Sequence, residues 1–234
     1  MEFISLASSS KGNLYIVQNG NEKLLIECGV PYKKIQQLLN YDFTGIKGCL
    51  ITHEHKDHAK SVKNILAAGI PIYTAEETAK VLNIIAQECI PEQEFSIGNF
   101  RIIPFPIFHD AVMPLGFFIK HGNDKLVFAT DTFNIPYIFP KANIIAVECN
   151  YLSELLSRSE HLPDKVRKRI SRSHFELEAV IRWLYKQDLS VCREIHLMHL
   201  SDACSDEGTI MARMCAEFGP NIDIAICRKE QYGK

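Results

Sequence analysis

The chain predicts a mixed α/β (α+β) fold in which two mixed sheets carry helices on their outer faces, and three observations lead there. Short β-branched, apolar runs bounded by Gly, Asn and Pro recur along all 234 residues, which reads as strands. Segments with helical spacing separate many of those runs. The strands also gather at the start of each half, which suits two covered sheets better than one doubly wound sheet, although periodicity alone does not separate the two. A chain of this length is expected to form one domain, residues 1–234, with a substantial core.

The elements follow in order. Residues 3–6, 14–17, 24–26 and 48–52 are predicted strands. Residues 59–68 carry helical spacing that Gly69 ends; 71–73 form a short strand and 75–87 a second helix. Residues 95–108, 116–120 and 125–130 read as antiparallel strands, the last two joined across His121-Gly122-Asn123-Asp124 as a hairpin, so His121 is expected to be a solvated turn residue. A strand at 143–147, helices at 152–172 and 175–187, a strand at 194–198, a helix at 206–218 and a strand at 222–226 complete the chain. No internal repeat, linker or low-complexity segment interrupts it.

Composition narrows the functional classes. A net charge of −2 gives no global attraction to a polyanion, so a nucleic-acid partner would need a local basic patch. Eight cysteines are scattered without a Cys-x-x-Cys pair, and the opening Met1-Glu2-Phe3-Ile4-Ser5 has neither a basic n-region nor a long apolar h-region. A cytoplasmic location with reduced cysteines is expected. No apolar stretch reaches the roughly 18 residues a membrane span needs.

The segment His53-Glu54-His55-Lys56-Asp57-His58, directly after the apolar Gly48-Cys49-Leu50-Ile51, holds three imidazoles and the Asp57 carboxylate. These are ligand types for zinc or a neighbouring divalent metal, and they exceed what one mononuclear site needs. A tight turn after a strand would aim His53 and His55 at one position and Asp57 and His58, starting the next helix, at a second. Downstream, His109, Asp131 and His199 each end a predicted strand, at the end where open sheet folds place ligands. Asp131 is the natural bridge, since one carboxylate offers two oxygens, with one further His for each metal.

This ligand order resembles the metallo-β-lactamase superfamily, whose signature His-x-His-x-Asp-His is present as His53, His55, Asp57 and His58. The opening Ser5-Leu6-Ala7-Ser8-Ser9-Ser10-Lys11-Gly12-Asn13 is similar to that of the YycJ (WalJ)-like branch. Phe128-Ala129-Thr130-Asp131-Thr132, Ser173-His174 and His199-Leu200-Ser201 resemble its later motifs in the same order. The resemblance implies a four-layer αββα sandwich with two divalent metal ions, zinc first and manganese second. His53, His55 and His109 would hold one metal, Asp57, His58 and His199 the other, with Asp131 bridging. Two departures bear on the site: Glu27 stands where the family usually has Asp, and Phe133 where many relatives have Gly.

Two cations about 3.5–4 Å apart can generate hydroxide at neutral pH and suit phosphodiester or carbonyl-ester hydrolysis alike. Asp57 would orient the hydroxide as well as bind metal. His174 discriminates between substrates: in phosphodiesterase relatives a His in this interval acts on the phosphate or leaving oxygen, oriented by a Glu that Glu148 resembles. Arg158, Lys165, Arg167, Lys168, Arg169 and Arg172 make a basic segment leading to His174, either a solvated helix face or a phosphate track. Tyr151 and Phe133 read as buried aromatics or as base-stacking groups, while His161 and His196 fall outside the ligand pattern. A DNA phosphodiesterase, exonuclease-like by the branch resemblance, is the expectation. A small-molecule hydrolase (cyclic phosphodiesterase, lactonase or thioesterase) and a non-catalytic scaffold are the alternatives.

Overall fold

A computed structural model describes residues 1–160 and 162–227, so His161 lies outside the described residues. The chain divides into two compact units, Met1–Pro106 with Ala111–Asp124, and Ile107–Asp110 with Lys125–Cys227.

The first unit begins with β1 (Glu2–Ala7), β2 (Leu14–Asn19) and β3 (Glu22–Ile26), then α1 (Tyr32–Leu38) and β4 (Ile46–Leu50). Next come α2 (Lys56–Ala59), α3 (Val62–Ala67), β5 (Ile72–Thr74), α4 (Glu76–Leu82) and β6 (Gln87–Glu88). These strands form a six-stranded sheet in sequence order. It is antiparallel from β1 to β3 and parallel from β3 to β6. The β2–β3 hairpin is tight because Gly20 adopts φ 57°, a conformation that costs glycine little. Leu25, Cys49, Ile51 and Ile72 pack with Ile35, Val62 and Ile65 in the core beneath this sheet. The same unit holds β7 (Phe95–Ile97), β8 (Phe100–Pro106) and β9 (Leu115–His121), an antiparallel set.

The second unit contains β10 (Asp124–Ala129), β11 (Ile144–Glu148), α5 (Ser153–Arg158), α6 (Asp164–Ser173) and α7 (Leu177–Leu184), then β12 (Glu194–Met198), α8 (Glu207–Phe218) and β13 (Asp223–Ile226). The four strands pair in parallel in that order. Residues 126–129 and 144–148 are buried throughout, which explains why β10 and β11 read as continuous apolar runs rather than alternating ones.

Several elements differ from the sequence expectation. The helix expected at 59–68 is two short helices, because Ser61 turns its N–H to the Cys28 carbonyl and its hydroxyl to the Val30 carbonyl. The helix expected at 75–87 stops at Leu82, where Asn83 adopts φ 51° as a left-handed cap. Gly98, at φ 57°, splits the strand expected at 95–108 into a hairpin. The helix expected at 152–172 breaks between Arg158 and Asp164, where Pro163 is the N-cap of α6. His121 is the last residue of β9 rather than a solvated turn residue: its Nδ1 lies 2.7 Å from Asn19 Nδ2, and its ring meets Phe100 edge-on. No helix among the described residues is long and apolar enough to cross a membrane.

Candidate metal centre

The first unit places its candidate ligands at the exit of β4. Thr52 begins the turn: its hydroxyl donates to Glu27 Oε1 at 2.6 Å, so it accepts from His53 Nδ1 at 2.8 Å. That leaves Nε2 of His53 as the lone-pair nitrogen, and it lies 3.1 Å from His55 Nδ1. Two nitrogens on one tetrahedral zinc, with bonds of about 2.0–2.1 Å, stand roughly 3.3 Å apart, so the pair needs little movement to share a cation. Asp57 and His58 enter on α2, as expected. His58 Nδ1 lies 3.3 Å from Glu27 Oε1, and its Nε2 lies 3.4 Å from Asp57 Oδ2. Glu27 therefore supports both His53 and His58 from behind, its extra methylene notwithstanding.

The loop is fastened through its backbone. Asn13 Oδ1 accepts from the Ser9 amide and the Tyr15 hydroxyl, which orients Nδ2 to donate to the Asp57 carbonyl at 3.1 Å. The Asn13 amide donates to the same carbonyl at 2.8 Å, and Cys28 N–H donates to the His58 carbonyl at 2.8 Å. Gly29 packs so closely here that a Cβ on it would lie 1.6 Å from the Asp57 carbonyl oxygen. Neither Asn13 nor Thr52 drew a role from sequence, although both are short polar residues at strand boundaries, where such supports occur.

The second unit places Asp131, Glu148 and His199 at the carboxyl ends of the parallel β10, β11 and β12, where open α/β sheets bind ligands. Asp131 divides its oxygens: Oδ1 lies 3.1 Å from His199 Nδ1 and Oδ2 lies 3.4 Å from His109 Nε2. His109 Nδ1 lies 3.0 Å from the Ser173 carbonyl, which can only accept, so Nδ1 carries the proton and Nε2 is an acceptor facing a carboxylate. An acceptor turned on an acceptor is favourable when a cation stands between them. His58 differs in the first unit: its Nε2 lies 3.2 Å from the Asn13 Nδ2 donor and 3.4 Å from Asp57 Oδ2, and its Nδ1 lies 3.3 Å from Glu27 Oε1. Burial pushes His109 below the ordinary histidine value despite Asp131, which suits a neutral ligand imidazole. The donor set of both units thus fits divalent metal ions.

Backbone geometry marks the same positions. Glu27, Asp131 and His199 are non-glycine residues at φ 65°, 50° and 54°. A left-handed conformation of this kind costs about 1–3 kcal/mol and persists where surrounding contacts demand it, often at functional sites.

Glu148 is fully buried. Its Oε2 accepts the backbone N–H groups of Thr132 and Phe175, and its Oε1 lies 2.6 Å from His174 Nδ1 and 3.2 Å from His199 Nδ1. Ligand atoms of Asp131, Glu148, His174 and His199 all fall within 4.8 Å of one another. His174 sits at the C-cap of α6. Burial disfavours its charged form, but the Glu148 carboxylate outweighs this and raises it above the ordinary histidine value. The same pairing overcomes burial and lowers Glu148. Tyr151 is buried, whereas Phe133 is exposed.

The basic segment resolves into distinct roles. Lys165, Lys168, Arg169 and Arg172 are exposed and recur at the i, i+3, i+4, i+7 spacing of one helix face. Arg158 is exposed at the end of α5. Arg167 instead donates to the Ser159 and Leu162 carbonyls and pairs with Asp164, holding the turn between α5 and α6. His196 pairs with Glu194 within β12.

Residues 23–196 match the model of the β-lactamase superfamily domain. The chain belongs to the metallo-β-lactamase superfamily. Within this superfamily the chain is YycJ-like. It is 28% identical over 187 residues to the exodeoxyribonuclease YycJ of Bacillus anthracis, covering 73% of this chain and 70% of that one. It is 31% identical over 221 residues to the exodeoxyribonuclease WalJ of Streptococcus pneumoniae, covering 84% and 80%. Its structure superposes on the metallo-β-lactamase fold protein YhfI from Bacillus subtilis with a TM-score of 0.77 at 17% identity, over 99% of this chain and 98% of that one. The superfamily fold, an αββα sandwich, and a metal-dependent hydrolase activity follow from this membership.

Proposed function

We propose that residues 1–234 form one catalytic domain, a dinuclear phosphodiesterase that degrades DNA as an exonuclease in the cytoplasm. His53, His55 and His109 would hold one divalent cation, Asp57, His58 and His199 the other, with Asp131 between them; zinc suits this donor set best and manganese next. When bound, two such cations lower the pKa of water towards 7 and offset charge that builds on a phosphodiester.

The chain's own residues supply the rest. Asp57 orients the attacking water. As the bond from phosphorus to the leaving oxygen breaks, His174 donates its proton to that oxygen, and Glu148 holds the imidazole in place and charged. The observation that carries this reading is the 2.6 Å contact between buried Glu148 and His174, set beside Asp131 and His199. A proton donor for an alkoxide is what phosphodiester cleavage needs. The basic face of α6, leading into His174, suits a polyanion. Cys28, Cys49, Cys89, Cys149, Cys192, Cys204 and Cys215 are free thiols, in keeping with a reducing compartment. Curated relatives named as exodeoxyribonucleases direct the choice to DNA.

The test is incubation of zinc- and manganese-loaded protein with end-labelled single- and double-stranded DNA, RNA and bis(p-nitrophenyl) phosphate, with Asp57→Ala as blank. Progressive shortening of DNA from an end, lost in Asp57→Ala, is the expected result. Cleavage of the small diester alone would replace this reading with a small-molecule phosphodiesterase, and no cleavage would point to lactone or thioester substrates.

A further inference from the structure

Two aromatic rings that the proposed mechanism does not use flank its ligands. Phe108 immediately precedes His109, and Phe133 follows Asp131 by two residues. Both are exposed, at 44% and 42%, and their ring centroids lie 5.3 Å apart at an interplanar angle of 46°. Lone exposed apolar side chains are ordinary on a protein surface. Two touching phenyl rings on the very segments that carry His109 and Asp131 are less so.

Backbone contacts fix their placement. Phe108 N–H donates to Thr132 Oγ1 at 3.0 Å, and Phe133 N–H donates to the Phe108 carbonyl at 3.2 Å. The Thr132 N–H donates in turn to Glu148 Oε2 at 2.8 Å, the carboxylate that holds His174. The basic helix reaches the same segment: Arg169 Nη1 lies 4.0 Å from Asp110 Oδ2, and the Ser173 carbonyl at the end of α6 accepts from His109. Cationic face, proton donor and aromatic pair are therefore tied to one short stretch of chain.

We infer that Phe108 and Phe133 form a stacking subsite for the nucleobase beside the scissile phosphodiester, an inference that rests on the DNA-cleaving reading above. The chemistry selects the occupant: phenyl rings offer π-faces without hydrogen-bond donors or acceptors, so they hold any base without reading its identity. Cations along α6 hold the phosphates at the same time. A base-tolerant grip of this kind is what an exonuclease that removes successive nucleotides requires.

The experiment compares KM for a single-stranded oligonucleotide with KM for the same strand made abasic at the nucleotide next to the scissile bond. Wild type, Phe108→Ala, Phe133→Ala, Phe133→Leu and Phe133→Tyr are measured, each checked for metal content and melting temperature. Wild type is expected to favour the base-bearing strand by about 5- to 150-fold. The two Ala variants and Phe133→Leu, which keeps apolar bulk without a ring, are expected to lose most of that preference, and Phe133→Tyr to keep it. Equal preference in wild type and Phe133→Leu would overturn the subsite while leaving the nuclease reading intact. Failure of the wild type to cleave either strand would overturn both.

Discussion

His174 and Glu148 hold the proton chemistry of the proposed reaction, and their environment sets its pH dependence. Burial acts to neutralise His174, and the Glu148 carboxylate 2.6 Å away reverses the outcome, so the charged imidazole persists above the ordinary histidine range. A donor is active while protonated, so kcat is expected to fall as pH rises through this raised value. Glu148→Gln removes the carboxylate that outweighs burial and should move that limb to lower pH, as a kcat profile of the metal-loaded variant would reveal. His174→Ala should lower kcat by roughly 10²–10⁴-fold, the usual worth of a general acid, with metal content unchanged. Normal turnover in that variant would remove His174 from the reaction. Glu27 illustrates a residue whose place sequence left open. Its backbone at φ 65° and its carboxylate shared by Thr52 and His58 emerge only from three-dimensional contacts.

At the level of elements, the ligand loop depends on close backbone contact and the proposed substrate track on one helix face. Gly29→Ala would drive a Cβ into the Asp57 carbonyl oxygen, 1.6 Å away in the present backbone, so the loop must move. Losses of about 4 kcal/mol or more in unfolding free energy, with reduced metal retention, are expected from denaturant melts and metal analysis. On α6, replacing Lys168 and Arg172 by Ala should flatten the slope of log K against log salt for single-stranded DNA by roughly 1.4, about 0.7 for each phosphate that is no longer neutralised. Arg167→Ala should instead destabilise the fold by about 1–3 kcal/mol, since its guanidinium satisfies the Ser159 and Leu162 carbonyls. Strand positions were legible because apolar runs and their flanking turns are local signals; β12 matches its expected bounds. The breaks in the helices were less so. Pro163 is a visible breaker, but Ser61 interrupts its helix only because the Cys28 and Val30 carbonyls lie within reach.

For the molecule as a whole, the superfamily was legible in the order of the candidate ligands His53, His55, Asp57, His58, His109, Asp131 and His199, because imidazole and carboxylate are the groups a divalent-metal site of this kind calls for. What holds them was not: Asn13, Thr52 and Thr132 act through hydrogen bonds to residues distant in the chain. The exposed Phe108–Phe133 pair was likewise only half visible, Phe133 alone having suggested a base contact. Chelation should abolish hydrolysis and lower the melting temperature, since ions that bind the folded chain alone stabilise it by mass action. The central claim is that two cations act together, and titration of metal-free protein with zinc or manganese, following DNA cleavage and bound metal in the same samples, tests it most directly. Cleavage that rises in proportion to the second equivalent bound, with Asp57→Ala taking up fewer ions and remaining inactive, is the predicted result. Full activity at one equivalent, or activity that survives complete removal of metal, would contradict it.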